Sequence, residues 1–352
     1  MKLLKNFYLV LIFPIFIGCK DTKNTNQKVV KKDIIKSEFT IAFGSCNNQL
    51  LPNPFWDDIL NDHPDVWLWG GDVIYSDTED MEYLQKNYEI QNTNATYADF
   101  KTKVEIHGTW DDHDYGLNDG GKNYVSKKES QQLFLDFLNV STESPRRQQE
   151  GIYFQKDFNY KNGSLKIILL DTRYFRSDLT KDTLTEKRYV PATGGTMLGE
   201  TQWKWLEETL KSSEADFNII LSSIQFLSYE HGFESWGNMP GEVLKMEELL
   251  KTTTATNVIF LSGDRHISEF SKKDVEGLSY PLIDFTSSGM THSYSAFKGE
   301  PNQYRIGNVV SDKSYGLVKI HIDSKKVDFQ IKGDNNSILE KYTQDYNLTS
   351  SK

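Results

Sequence analysis

The chain has 352 residues, 38% hydrophobic and 26% charged, a globular composition sized for one large domain or two small ones. Its formal charge of −10 argues against nonspecific nucleic-acid binding, and no nucleic-acid-binding signature is present. No apolar run beyond the N-terminal segment is long enough to span a bilayer.

Lys2 and Lys5 form a basic start, Phe7 to Ile17 an apolar stretch, and Gly18-Cys19 follow. This is the layout of a secretory signal. A small residue before cysteine resembles a bacterial lipobox, although Phe16 stands where leucine is usual. The expectation is a lipoprotein signal peptide over residues 1–18 and lipidation at Cys19. The protein would then be exported and anchored to a membrane, facing the periplasm or the cell surface. Residues 19–37 are polar and Lys-rich and read as a tether. If Cys19 carries lipid, Cys46 has no intramolecular partner, and it is buried, metal-bound or reactive.

The folded domain is expected over residues 38–335, followed by a polar tail at 336–352. Glu38 to Phe43 is a strand pattern ending in Gly44-Ser45-Cys46. Asp65 to Trp69 is a continuous apolar run, as for a strand buried on both faces, and leads into Gly70-Gly71-Asp72-Val73-Ile74-Tyr75. Glu79 to Phe100 reads mostly as helix. Val104 to Trp110 is a strand that delivers Asp111-Asp112-His113-Asp114. Three carboxylates around one histidine repel one another, and a bound cation is the simplest remedy.

Ser126 to Leu138 is a predicted helix. Gly151 to Tyr160 and Leu165 to Leu170 form a hairpin around Asn162-Gly163, ending in Asp171-Thr172-Arg173. Residues 176–198 read as a polar loop over the site. Helices are expected at Glu200 to Lys211 and Glu242 to Leu250. Strands are expected at Phe217 to Ile224, at Asn257 to Leu261 leading into Gly263-Asp264-Arg265-His266, at Tyr280 to Phe285, and in a hairpin over Tyr315 to Lys332. Alternating strands and helices imply a layered α/β domain, and the late hairpins imply that not all strands are parallel.

Four strand ends thus carry metal-ligand residue types. Asp72 suits a bridge between two cations, since each carboxylate oxygen can bind one. Asp264 and His266, two apart, would share one face of an extended segment. Cys46 and Tyr75 are anionic when bound and suit trivalent iron better than magnesium, whereas Asp111, Asp112 and Asn118 offer oxygen for calcium or another hard divalent ion. Each has a structural alternative: Cys46 as a small buried hydrophobe, Tyr75 as a packed ring. Arg173 either binds substrate phosphate or pairs with a carboxylate, and His292 is an open candidate for the site.

In order and spacing these motifs, from Gly44-Ser45-Cys46 to Gly263-Asp264-Arg265-His266, resemble the alkaline phosphatase D (PhoD-like) family of metallophosphatases over residues 40–292. The resemblance implies a calcineurin-like sandwich of two mixed β-sheets flanked by helices. It also implies phosphomonoesterase or phosphodiesterase activity, with two or more metal ions, Fe(III) plus calcium or another divalent cation. Asp112 would stand where the wider superfamily has a metal-binding asparagine, with Asn118 as an alternative amide ligand, and His113 would be the proton donor or a phosphate-orienting group. The superfamily's separate metal-binding histidine is not evident, and Gln225 lies in that region. The expected function is hydrolysis of phosphate esters by in-line attack of a metal-bound hydroxide. A phospholipase-type or nucleotide phosphodiesterase, or a non-catalytic calcium-binding surface lipoprotein, are the alternatives.

Overall fold

The computed structural model describes residues 34–347. The expected signal segment, Cys19 and most of the tether lie outside the described residues.

Along the chain the elements are β1 (Glu38–Gly44), α1 (Trp56–Asn61), β2 (Val66–Gly70), α2 (Met81–Thr93), α3 (Ala95–Phe100), β3 (Glu105–Thr109), α4 (Asp112–Tyr115) and α5 (Lys127–Phe137). Then come β4 (Phe154–Tyr160), β5 (Gly163–Leu169), β6 (Thr180–Lys181), β7 (Tyr189–Val190), α6 (Gly199–Lys211), β8 (Phe217–Leu221), α7 (Pro240–Thr252) and β9 (Val258–Ser262). The last strands are β10 (Ser268–Lys273), β11 (Leu282–Thr286), β12 (Arg305–Val310), β13 (Tyr315–His321), β14 (Lys326–Lys332) and β15 (Ile338–Asp345).

Two mixed sheets form, in the order β15-β14-β13-β1-β2-β3 and β12-β10-β11-β9-β8-β5-β4. β1, β2 and β3 run parallel, as do β5, β8, β9 and β11, while the hairpins add antiparallel strands at the flanks. The apolar run of β2 explains why both its faces are covered. Val66 and Leu68 join Phe39, Ile41 and Phe43 in the larger core. Trp67 and Trp69, pointing the other way by strand alternation, pack with Trp56, Tyr97 and Phe100 under the helices. Trp203, Leu206 and Leu210 of α6, with Val243, Met246 and Leu250 of α7, belong to the same cluster as β5, β8 and β9. The expected two-sheet α/β sandwich is the observed architecture.

The C-terminal boundary is corrected. Residues expected as a polar tail form β15, which pairs antiparallel with β14 along its length. Its sequence looks polar because an edge strand buries little on its outer side: Ile338 and Leu339 are exposed, while Tyr342 stacks against Phe329.

Candidate active site

The parallel strands end at one edge of both sheets, and the backbone there is bent in a consistent way. Cys46 after β1, Asp72 after β2, and Asp264 and His266 after β9 all have positive φ, at 56°, 49°, 69° and 54°. Aspartate and histidine enter the left-handed region more readily than most residues, whereas cysteine visits it seldom. Such strain persists where surrounding structure imposes it, and it concentrates at functional sites. The expected i, i+2 alternation of Asp264 and His266 is therefore not how they meet: they turn into the site through left-handed residues. Gly71 allows the close approach, because a Cβ there would stand 2.5 Å from Cβ of Asp111.

Asp72 lies at the middle. Its Oδ2 accepts from Cys46 Sγ at 3.3 Å and from Tyr75 Oη at 3.2 Å, and its Oδ1 faces the His113 amide at 3.4 Å. Tyr75 Oη is 3.4 Å from His266 Nε2. Ser288 Oγ, 3.0 Å from Cys46 Sγ, accepts from the His266 amide at 2.6 Å. On the other side Asp112 Oδ1 accepts from the His113 amide at 3.0 Å and its Oδ2 from the Asp119 amide at 2.7 Å. The short helix α4 holds this corner: Asp114 accepts from the Asp111 amide at 2.6 Å and from the Val73 amide at 3.0 Å.

These side chains fall into overlapping sets whose ligand atoms lie within 4.8 Å of one another: Cys46, Asp72 and His266; Asp72, Asp112 and His113; Asp111, Asp112 and Asp264; Asp112, Asp119 and Glu234. Asp72 is shared by the first two sets, as a bridging carboxylate would be. A thiol, a phenol and an imidazole gather on one side of it, and carboxylates on the other. Asp111 Oδ2 is buried without a hydrogen-bond partner. The donor set and this orphaned oxygen fit bound cations.

The electrostatics agree. Burial, reinforced by the Cys46 and acidic neighbours, raises Asp72 well above the usual carboxylate range. Burial also pushes the Cys46 thiol up to about 11, and raises the Tyr75 phenol. Asp264 is pushed up to about 7, again chiefly by burial. For Asp112, burial is outweighed by Arg173, His113 and hydrogen bonds, and its pKa falls to about 2. Burial disfavours charge on His113, yet Asp72, Asp77 and Asp112 outweigh it and raise the imidazole to about 11. So many buried anions cannot all ionise in the absence of positive charge.

Of the two readings of Arg173, substrate binding is corrected. Its side chain is wholly buried, with Nε 2.6 Å from Asp111 Oδ1 and Nη1 2.6 Å from Glu234 Oε2. Its charge is matched by these two carboxylates, away from solvent. Arg176 braces Glu234 from the other oxygen at 2.8 Å. His292 does reach the site: its ring centroid is 4.9 Å from Tyr75 and 4.6 Å from His266. Asn118 is exposed on the lining of the cavity, and its neighbour Asp119 is the residue grouped with Asp112. Gln225 is directed away, donating to Glu269 and Thr286 at 2.9 and 2.8 Å; Ser223 supplies the contact in that region, donating to Asp111 at 2.8 Å. Asp77, Asp119, Glu234 and Ser288 were not anticipated. Asp77 and Asp119 share the positive φ of the ligands, at 43° and 51°, and sit in loops with no strand pattern to announce them.

A cavity of about 510 Å³ opens over the cluster, lined among others by Asp112, His113, Asp264 and His266. The family model described as PhoD-like phosphatase matches residues 41–276. Alkaline phosphatase D of Bacillus subtilis (strain 168) is 26% identical over 286 residues, which cover 68% of this chain. The chain spans about half the length of that curated relative, 48%. A solved structure of PhoD superposes with a TM-score of 0.69 at 18% identity, covering 89% of this chain and 69% of the other. A dimetal phosphatase from Danio rerio gives 0.54 at 14% identity, over 88% and 99%. At these identities both structures establish the fold.

Proposed function

Because the chain belongs to the PhoD-like phosphatase family, we propose that it is a metal-dependent phosphoesterase that hydrolyses phosphate mono- or diesters at the strand-end cluster. The observation that carries this reading is the sharing of Asp72 between the Cys46–His266 set and the Asp112–His113 set. Cys46, Asp72, Tyr75 and His266 would hold one cation, and Asp72 and Asp112, with Asp264, a second. Bound there, the cations would acidify a water molecule and offset charge on the phosphoryl oxygens. Thiolate and phenolate suit Fe(III) on the first side, and oxygen ligands suit calcium or another hard divalent ion on the second.

His113 has the proton for the leaving group. Asp77 Oδ2 takes its Nδ1 at 2.7 Å, which leaves Nε2 to donate. The elevated pKa keeps the ring protonated, and positive charge at Asp72 and Asp112 would lower it towards a working range. The N-terminal segment completes the reading as a lipoprotein signal that anchors the enzyme through Cys19. Palmitate labelling of wild type and Cys19→Ser tests that part. The central test is the full chain with its metals restored, assayed on aryl phosphate monoesters and diesters. Hydrolysis of neither class would overturn the enzyme reading.

A further inference from the structure

The cavity over the cluster has a second wall that the chemistry above does not use. Phe233 and Tyr294 line it, with Arg188 and Arg265. Single exposed aromatic residues are ordinary on a protein surface. These two differ in how they are held. Phe233 is 37% exposed, yet it is fixed from three directions. The Arg265 guanidinium lies 4.3 Å from its ring centroid, and Arg265 is pinned by Glu300 at 2.6 Å. The Phe233 amide donates to His231 Nδ1 at 3.1 Å. The next residue, Glu234, is locked into the buried pair with Arg173 and Arg176. Tyr294 is 45% exposed, and its amide donates to the carbonyl of the proposed ligand His266 at 2.8 Å.

Arg265 is also more than nine-tenths buried, and its Nε has no hydrogen-bond partner. An arginine stacked under an aromatic ring, with a donor unspent, makes a rigid flat platform beside the metal cluster. The cavity volume is in the range of small-molecule sites, and a phosphoryl group alone fills only a small part of it.

We propose that Phe233, stacked on Arg265, and Tyr294 form a leaving-group subsite that selects phosphate esters whose leaving group is a flat aryl alcohol over esters of small aliphatic alcohols. This rests on the phosphoesterase reading of the same cavity. Stacking on such a platform amounts to about tenfold in binding.

The test uses the full-length, metal-loaded protein and two non-hydrolysable probes, phenylphosphonate and methylphosphonate, with binding measured by calorimetry. Wild type is expected to bind phenylphosphonate about tenfold more tightly. Phe233→Ala and Tyr294→Ala should each narrow that gap, and Phe233→Tyr should keep it. In turnover, kcat/KM for phenyl phosphate relative to glycerol phosphate should fall by a similar factor in the alanine variants. Equal binding of the two phosphonates by wild type, or a gap indifferent to both alanine variants, overturns the subsite even if both esters are hydrolysed. A gap that closes as expected, with neither ester hydrolysed, instead supports the subsite and overturns the phosphoesterase reading.

Discussion

The Nδ1 of His113 lies 2.7 Å from Oδ2 of Asp77, a pairing made across 36 residues by a left-handed Asp77 at the end of the β2 loop. The carboxylate fixes the ring and raises its pKa along with Asp72 and Asp112. If His113 acts as the acid, activity is lost as pH rises through its pKa. Asp77→Asn removes one of the charges that raise it, so the alkaline limb of kcat should move to lower pH. Asp77 is 42% exposed, so solvent screens the effect, and a loss of about threefold to tenfold at alkaline pH is expected. An unchanged limb in a pH–kcat series would show that Asp77 does not set the proton on His113.

Asp72 and His113 should separate on substitution. Asp72→Asn removes the shared carboxylate and should lower both metal content and turnover. His113→Ala should retain most of the metal while turnover falls by about 10²–10⁴-fold. Elemental analysis beside steady-state kinetics reads both. Loss of all metal in His113→Ala would make the histidine a ligand rather than the acid.

Metal binding should release protons. Cys46, Tyr75 and Asp72 all have raised pKa values in the metal-free protein, mainly through burial, so a cation must displace protons to bind them. Affinity should therefore increase with pH through the neutral range. Competition with a chelator at several pH values measures this, and flat affinity would exclude these groups as ligands. If iron occupies the Cys46–Tyr75 side, the protein should also have a visible absorption band, which Tyr75→Phe should shift or weaken.

Arg173 should matter for stability more than for binding. Arg173→Met leaves Asp111 and Glu234 buried without their common partner, a change that typically costs about 3–5 kcal/mol. Urea denaturation of the metal-free protein gives the difference directly. A variant as stable as wild type, with raised KM alone, would restore the substrate-binding role.

His231 gives a pH signature away from the metals. Burial, with Arg265 and other cations nearby, lowers its pKa from 6.5 to about 3. The folded state thus holds it neutral while the unfolded chain takes up a proton. Its contribution is complete above pH 6.5 and declines as pH falls from there towards 3, by up to about 1.4 kcal/mol per pH unit. The difference in stability between wild type and His231→Gln should shrink across that window. A constant difference would mean that the ring is charged or exposed in the fold.

The strand ends were legible because Cys46, Asp72, Asp264 and His266 follow largely apolar, buried strands, and Asp112 stands in an acidic cluster at the end of the shorter, more polar β3. The loop residues were not. Asp77, Asp119 and Glu234 reach the site through irregular backbone, and nothing in their immediate sequence records where that backbone leads. Arg173 shows a different difficulty: only the buried positions of Asp111 and Glu234 decide between the two uses of its charge. β10 was missed because Ser268-Glu269-Phe270-Ser271 looks like surface, yet Glu269 is buried and answered by Arg305 and Gln225. Such polar strands are paid for by partners far away in the chain.

Cys46, Asp72 and Asp112 come from the sheet of β1, β2 and β3, whereas Asp264 and His266 come from the sheet of β9. A cation shared among them would act as a rivet through both layers at one rim of the sandwich. Demetallation should then be felt well beyond the cluster, as faster amide exchange along β2 and β9 together, while β14 and β15 at the far flank stay protected by packing alone.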